Sequence, residues 1–137
     1  MKRYLLDSNA ISRLMDKEPY FVGRLRETRV RGGRAGICEP VVGELYYGLE
    51  LSASQAANEK RLQVVLAQLP SWPFDRAAAR QYGRLAAHLK RVGRLMQTID
   101  MQLAAVALTL GNTVVVSSDT DLLAVPGLTV ENWAAEQ

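Results

Sequence analysis

The sequence predicts an α/β domain in which a mainly parallel sheet is covered by helices. Three observations predict it. Short apolar, β-branched runs alternate along the chain with longer segments of helical periodicity. The run Thr113–Val116, Thr-Val-Val-Val, is continuous rather than alternating, as expected of a strand buried on both faces. The chain has 137 residues, 48% of them hydrophobic and 23% charged, which suits one domain around one core.

The elements follow in order. Arg3–Leu6 reads as a short buried strand that ends at Asp7. Residues 9–15 and 20–30 read as helices, and Arg31-Gly32-Gly33 breaks the second of them. Residues 35–38 form the next strand candidate. Val42, Leu45, Tyr46 and Leu49 then recur at the spacing of one helix face. Ser54 is the expected N-cap of a further helix with Leu62, Val65, Leu66 and Leu69 inward, and Pro70 stops it. Residues 72–74 suit a brief strand. Asp75 caps a long helix with Ala78, Tyr82, Leu85, Leu89 and Val92 inward and Gly93 near its end. A helix over 99–110 stops at Gly111 and leads into the Thr-Val-Val-Val strand. A turn or short helix over 118–124 and a last strand over 128–130 complete the pattern. No repeat, low-complexity tract or linker interrupts it, so residues 1–137 are expected to form a single domain.

Composition excludes several function classes. The single cysteine, Cys38, rules out an internal disulfide framework and an all-cysteine zinc site. The single histidine, His88, argues against a His-rich metal site, a Ser-His-Asp triad and a two-histidine ribonuclease. No apolar run approaches the roughly 18 residues that span a bilayer. The opening Met-Lys-Arg-Tyr-Leu-Leu-Asp has too few apolar residues for a secretory signal. The expected location is therefore cytoplasmic, away from membranes. The net charge of +3 conceals an asymmetry, for residues 1–94 hold all 17 Lys and Arg and residues 95–137 hold five acids and no base. Thirteen of the cations are Arg, which suits paired contacts with phosphate oxygens. A basic body with an acidic end fits a polyanionic partner beside a cation-binding pocket, or else an Arg-rich solvated surface.

The placement of the acids is informative. Ligands of open α/β sheets collect at the carboxyl ends of strands. Asp7 follows the first strand, and Asp119 and Asp121 follow the Thr-Val-Val-Val strand. Each also has a plainer reading. Asp7 suits a helix cap, and Ser118-Asp119-Thr120-Asp121 matches a capping box in which Asp121 closes a helix start. Asp100 shares a helix face with Leu103, Ala104 and Ala107, and Glu44 borders the Val42, Leu45, Tyr46, Leu49 stripe. An ionised acid at the edge of a core is costly unless it is paired or bound to metal. For these two a salt bridge to one of the arginines is the plainer reading.

Four carboxylates gathered together would repel one another and raise at least one pKa. Mg²⁺ or Mn²⁺ relieves this, since both prefer carboxylate and water oxygens, whereas zinc lacks its usual His and Cys ligands here. An acidic metal pocket in a basic protein points to metal-assisted attack of water on a phosphodiester.

The same residues fall into motifs. Leu5-Leu6-Asp7-Ser8-Asn9 resembles the opening of PIN-domain ribonucleases, in particular the VapC-type toxins of bacterial type II toxin–antitoxin pairs. Val41-Val42-Gly43-Glu44-Leu45-Tyr46-Tyr47-Gly48 resembles the second acidic motif of that family, and Asp100-Met101-Gln102-Leu103-Ala104-Ala105 the third. Ser117-Ser118-Asp119-Thr120-Asp121-Leu122, with Val130-Glu131-Asn132-Trp133 beyond it, resembles the fourth motif and the tail. The resemblance spans essentially the whole chain and rests on the order and spacing of the motifs. It implies a Mg²⁺- or Mn²⁺-dependent endoribonuclease, a homodimer, an RNA substrate with transfer RNA foremost, and a small VapB-type antitoxin as partner. By matching position, Asp7, Glu44, Asp100 and Asp119 become the catalytic and metal-binding acids. Asn9, Ser118 and Asp121 become supporting residues, and the fourth acid stays open between Asp119 and Asp121. Gln97-Thr98-Ile99 stands where the family usually has a Gly-Pro pair.

Two arginine groups could follow an RNA backbone: Arg76, Arg80, Arg84 and Arg91 on the long helix, and Arg24, Arg26, Arg29, Arg31 and Arg34. Solvated helix surface, or contact with an acidic antitoxin segment, explains them equally well. Tyr46 and Tyr47 could stack on a base, although Tyr46 lies on the apolar stripe. His88, Cys38, Trp72 and Trp133 read as structural. The alternative function is a nucleic-acid-binding module with a non-catalytic acidic site. A phosphatase with an aspartyl nucleophile would need an Asp-x-Asp near the start, where this chain has Asn9.

Overall fold

Apolar runs too short for helices become the strands of one parallel sheet. The computed structural model describes residues 1–134. β1 (Arg3–Leu6), β2 (Arg34–Cys38), β3 (Ser71–Trp72), β4 (Thr113–Val116) and β5 (Thr129–Glu131) stand in the order β3-β2-β1-β4-β5. Every pairing is parallel; Leu5 lies opposite Gly36 on one side and Val115 on the other, and Val116 opposite Glu131. Chain order runs outward from β1 in both directions, so the strand order reverses between β1 and β4. Such a switch point opens a crevice at the carboxyl ends of the strands.

Helices supply the crossovers. α1 (Ser8–Met15) and α2 (Pro19–Val30) join β1 to β2, and α3 (Glu39–Glu50) and α4 (Gln55–Leu66) join β2 to β3. α5 (Arg76–Arg91) and α6 (Thr98–Leu110) lead from β3 to β4, and a 3-10 turn, Thr120–Ala124, precedes β5. The predicted α/β class and the single parallel-sheet domain are both present. The Thr-Val-Val-Val strand is buried as expected, with Val114, Val115 and Val116 at 1% exposure or less. Leu5 and Leu6 beside it are fully buried, as is Leu103 of α6. Asp75 caps α5 through its side chain, which accepts from the Ala78 amide at 3.0 Å.

Four local expectations need correction. Ser54 occupies the N-cap of α4 but makes no side-chain cap bond; the Ser52 hydroxyl instead accepts from the Ser54 amide and the Asn58 side chain. Val92 is 60% exposed, because α5 ends one residue before it and the chain turns outward through Gly93 at φ +71°. The brief strand pairs at Ser71–Trp72 rather than over 72–74. The capping box after β4 is shifted, for Asp119 is the cap, with its Oδ1 accepting from the Asp121 amide at 2.9 Å.

The carboxyl-terminal segment is pinned by one side chain. Trp133 is 1% exposed and its ring lies 5.5 Å from Tyr4 and 5.4 Å from Phe21. Its indole N–H donates to Glu131, which also pairs with Arg24, and the Arg24 guanidinium covers the ring. Beside it the Ser117 amide donates to the Glu131 carbonyl, so this segment holds the chain as it leaves β4. Trp133 is structural, as the sequence suggests.

Candidate active site

Four elements bring four acids to the crevice between β1 and β4. Asp7 leaves β1 and caps α1, its Oδ1 accepting from the Ala10 amide at 2.7 Å. It is 7% exposed, and burial raises its pKa; the Ser117 hydroxyl and the Ala10 amide oppose the rise, while the charges of Asp119 and Glu44 add to it. Glu44 lies half-buried on α3, which packs against α6. Asp100 stands in the first turn of α6, and its carboxyl is pushed up to about 6, first by burial and then by Asp119, Glu44 and Asp7. Asp119 comes first among these three charges, which places the two acids near each other. The Asp119 amide is held by the Ser117 hydroxyl at 3.0 Å.

Asp7, Glu44, Asp100 and Asp119 therefore form one electrostatic unit assembled from positions far apart in the chain. The salt-bridge reading of Glu44 and Asp100 fails, since among the described residues none of the four acids pairs with a cation. The two candidates for the fourth acid separate clearly. Asp119 joins the cluster, whereas Asp121 is exposed and pairs with Arg94 at 3.3 Å. Asn9 lies exposed on the first turn of α1, and Ser118 is exposed as well. The hydroxyl that serves the cluster belongs to Ser117, which is 4% exposed and touches both Asp7 and Asp119. The sequence offers two adjacent serines at the strand end, and the first of them faces inward.

The donor set suits a hard divalent cation: it is all carboxylate, charge-dense and without a counter-cation. As the side chains stand, no three His, Cys, Asp or Glu groups among the described residues are close enough to enclose one ion.

The model described as "PIN domain" matches residues 4–128, and the chain belongs to the PIN-domain family. Along its length it is similar to proteins called VapC. It is 26% identical over 130 residues to Ribonuclease VapC2 of Rickettsia felis, covering 95% of this chain and 97% of the relative. It is 27% identical over 135 residues to the tRNA(fMet)-specific endonuclease VapC of Shigella flexneri, covering 98% and 100%. Among solved structures, VapBC2 of Rickettsia felis bound to a DNA fragment from its promoter superposes with a TM-score of 0.89 at 25% identity, covering 96% of this chain and 99% of that one. DNA-bound VapBC of Salmonella typhimurium superposes with a TM-score of 0.88 at 26% identity, covering 98% and 100%. No helix among the described residues is long and apolar enough to cross a membrane.

Proposed function

We propose that this protein is a Mg²⁺- or Mn²⁺-dependent endoribonuclease, the toxin of a type II toxin–antitoxin pair. The observation that carries this reading is the cluster of Asp7, Glu44, Asp100 and Asp119, unpaired with any cation among the described residues, in a chain similar throughout to proteins named ribonuclease VapC. Asp7 and Asp100 would hold the ion directly, with Glu44 and Asp119 as further ligands or as acceptors for its water. When bound, the ion supplies a more acidic water and charge stabilisation at the phosphate.

The protein's own groups do the positioning. Asp7 is fixed by the Ala10 amide and the Ser117 hydroxyl, which hold its carboxylate at the strand end in one orientation. Ser117 also fixes the backbone of Asp119, so one hydroxyl spaces the acids on either side of the crevice. Glu44 approaches from α3, across the crevice, where it can accept a proton from water or orient it.

The partner reading is supported by a groove of about 870 Å³ between α1, α2 and α4. Leu14, Val22, Val30 and Val64 line it, with Arg26 and Arg29 also along it, and Val30 and Val64 are 82% and 60% exposed. Apolar surface edged by arginines suits an amphipathic, acidic segment, here a VapB-type antitoxin. The VapBC complexes that the chain resembles favour the same partner; for the working form we propose a cytoplasmic homodimer.

The test is cleavage of purified tRNA and total RNA by antitoxin-free protein, with Mg²⁺, Mn²⁺ or chelator, beside Asp7→Asn and Asp100→Asn. Discrete fragments that need metal and disappear in both variants are expected, with tRNA cut first. Cutting that survives both substitutions would remove the activity from this site. RNA binding without cutting would make the chain a binding module.

A further inference from the structure

Arg94 is held beside the acid cluster without neutralising it. Its guanidinium meets Asp121 through a single 3.3 Å contact, and the Asp121 amide in turn binds the Asp119 carboxylate. Both partners of the pair are about half exposed, at 47% and 52%. Exposed pairs with one long contact are weak and exchange readily. The backbone beneath Arg94 is well fixed. Gly93 takes φ +71°, its amide donates to the Lys90 carbonyl at 3.1 Å, and the Arg94 amide donates to the Leu89 carbonyl at 2.8 Å. These are the two bonds that close a helix through a left-handed glycine. The main chain is anchored to α5 while the side chain is free to change partner. Exposed Arg76, Arg80, Arg84 and Arg91 lead along α5 toward this point, and α5 packs along the helix that carries Asp100.

We propose that Arg94 is a substrate-binding residue that grips a backbone phosphate of RNA beside the acid cluster, and that Asp121 holds the guanidinium when no RNA is bound. The proposal rests on the nuclease reading above. A polyanion entering a rim of four carboxylates meets repulsion that a cation in the site would offset only at the scissile phosphate. The neighbouring phosphates need a cation from the protein. A guanidinium matches a phosphate with two parallel hydrogen bonds, which Asp121 does not provide here. RNA therefore displaces Asp121 rather than adding to it.

The test measures binding rather than turnover, in full-length protein carrying Asp100→Asn with chelator present, so that no RNA is cut. Fluorescence anisotropy with a labelled single-stranded RNA is followed across a salt series. Arg94→Ala should weaken binding about 5- to 10-fold at low salt and lower the slope of log affinity against log salt by about 0.7. Arg94→Lys should keep the slope and recover part of the affinity. Asp121→Asn should strengthen binding about 2- to 5-fold, a gain that disappears when Arg94→Ala is added. A purely structural ion pair predicts that Arg94→Ala and Asp121→Asn act alike, and that result overturns the proposal. Unchanged affinity and slope in Arg94→Ala, or a parent that binds no RNA, overturns it as well. Failure of the nuclease reading is visible separately, as absent metal-dependent cleavage by protein that retains Asp100.

Discussion

Asp100→Asn should stabilise the protein while removing its activity. The Asp100 carboxyl is pushed from an ordinary 3.8 up to about 6 by burial and by three neighbouring acids. At about 1.4 kcal/mol per pKa unit, that rise is a cost of about 3 kcal/mol for holding the charge at neutral pH. The site is partly open to water, and screening reduces the cost to about 1 kcal/mol. The sign follows from linkage. A raised folded-state pKa contributes stability that is fully present below about 3.8 and is lost as pH rises through about 6. The asparagine variant has no charge to hold. In urea denaturation at pH 8 with chelator it should exceed the parent by about 1 kcal/mol, with a melting temperature a few degrees higher. The gap should close as pH falls toward 4. Added Mg²⁺ should reverse the order, because the parent gains binding free energy that the variant has largely given up. A variant less stable than the parent at pH 8 with chelator, or a gap independent of pH, would refute the electrostatic account of the cluster.

Other substitutions separate the roles of neighbouring groups. Asp7→Asn should keep the α1 cap and fold within about 1 kcal/mol of the parent, yet lose cleavage; Asp7→Ala should lose the cap too, at about 1 kcal/mol by urea denaturation. Ser117→Ala removes a donor that lowers the Asp7 pKa, so the acidic limb of the pH–rate profile should move to higher pH, whereas a hydroxyl without this role would leave the limb in place. Trp133→Ala should cost about 3–5 kcal/mol, read from the urea midpoint, since it empties the space between Tyr4 and Phe21. Val64→Glu should abolish capture of a co-expressed antitoxin while leaving cleavage by the isolated protein intact.

What the sequence made legible was whatever depended on a few adjacent residues. Thr113–Val116 reads as a buried strand because four β-branched residues in a row have no polar face to expose. Asp75 reads as a cap because its side chain needs only the amide three residues on. Asp7 and Asp119 stand out since strand ends and the crevice rim coincide in parallel sheets. The failures required knowledge of a third dimension. Ser117 and Ser118 are chemically identical, and only the course of the chain past Glu131 turns the first inward. Ser54 sits at a helix start, but Ser52 takes the local hydrogen bonds. Val92 fits the helical stripe by spacing, yet the helix has already ended. The groove between α1, α2 and α4 belongs to no single segment, so no periodicity announces it.

The pinning of the last described strand has a consequence for timing. Asp7 emerges from the ribosome long before its hydroxyl partner Ser117 and its neighbour Asp119. Their loop is tied down only when Glu131 accepts from the Ser117 amide and Trp133 settles between Tyr4 and Phe21. A nascent or truncated chain can carry three of the four acids and still lack the crevice wall that opposes Asp7. On the proposed function, a nascent chain stays harmless to the translating cell until residues 117–133 have emerged.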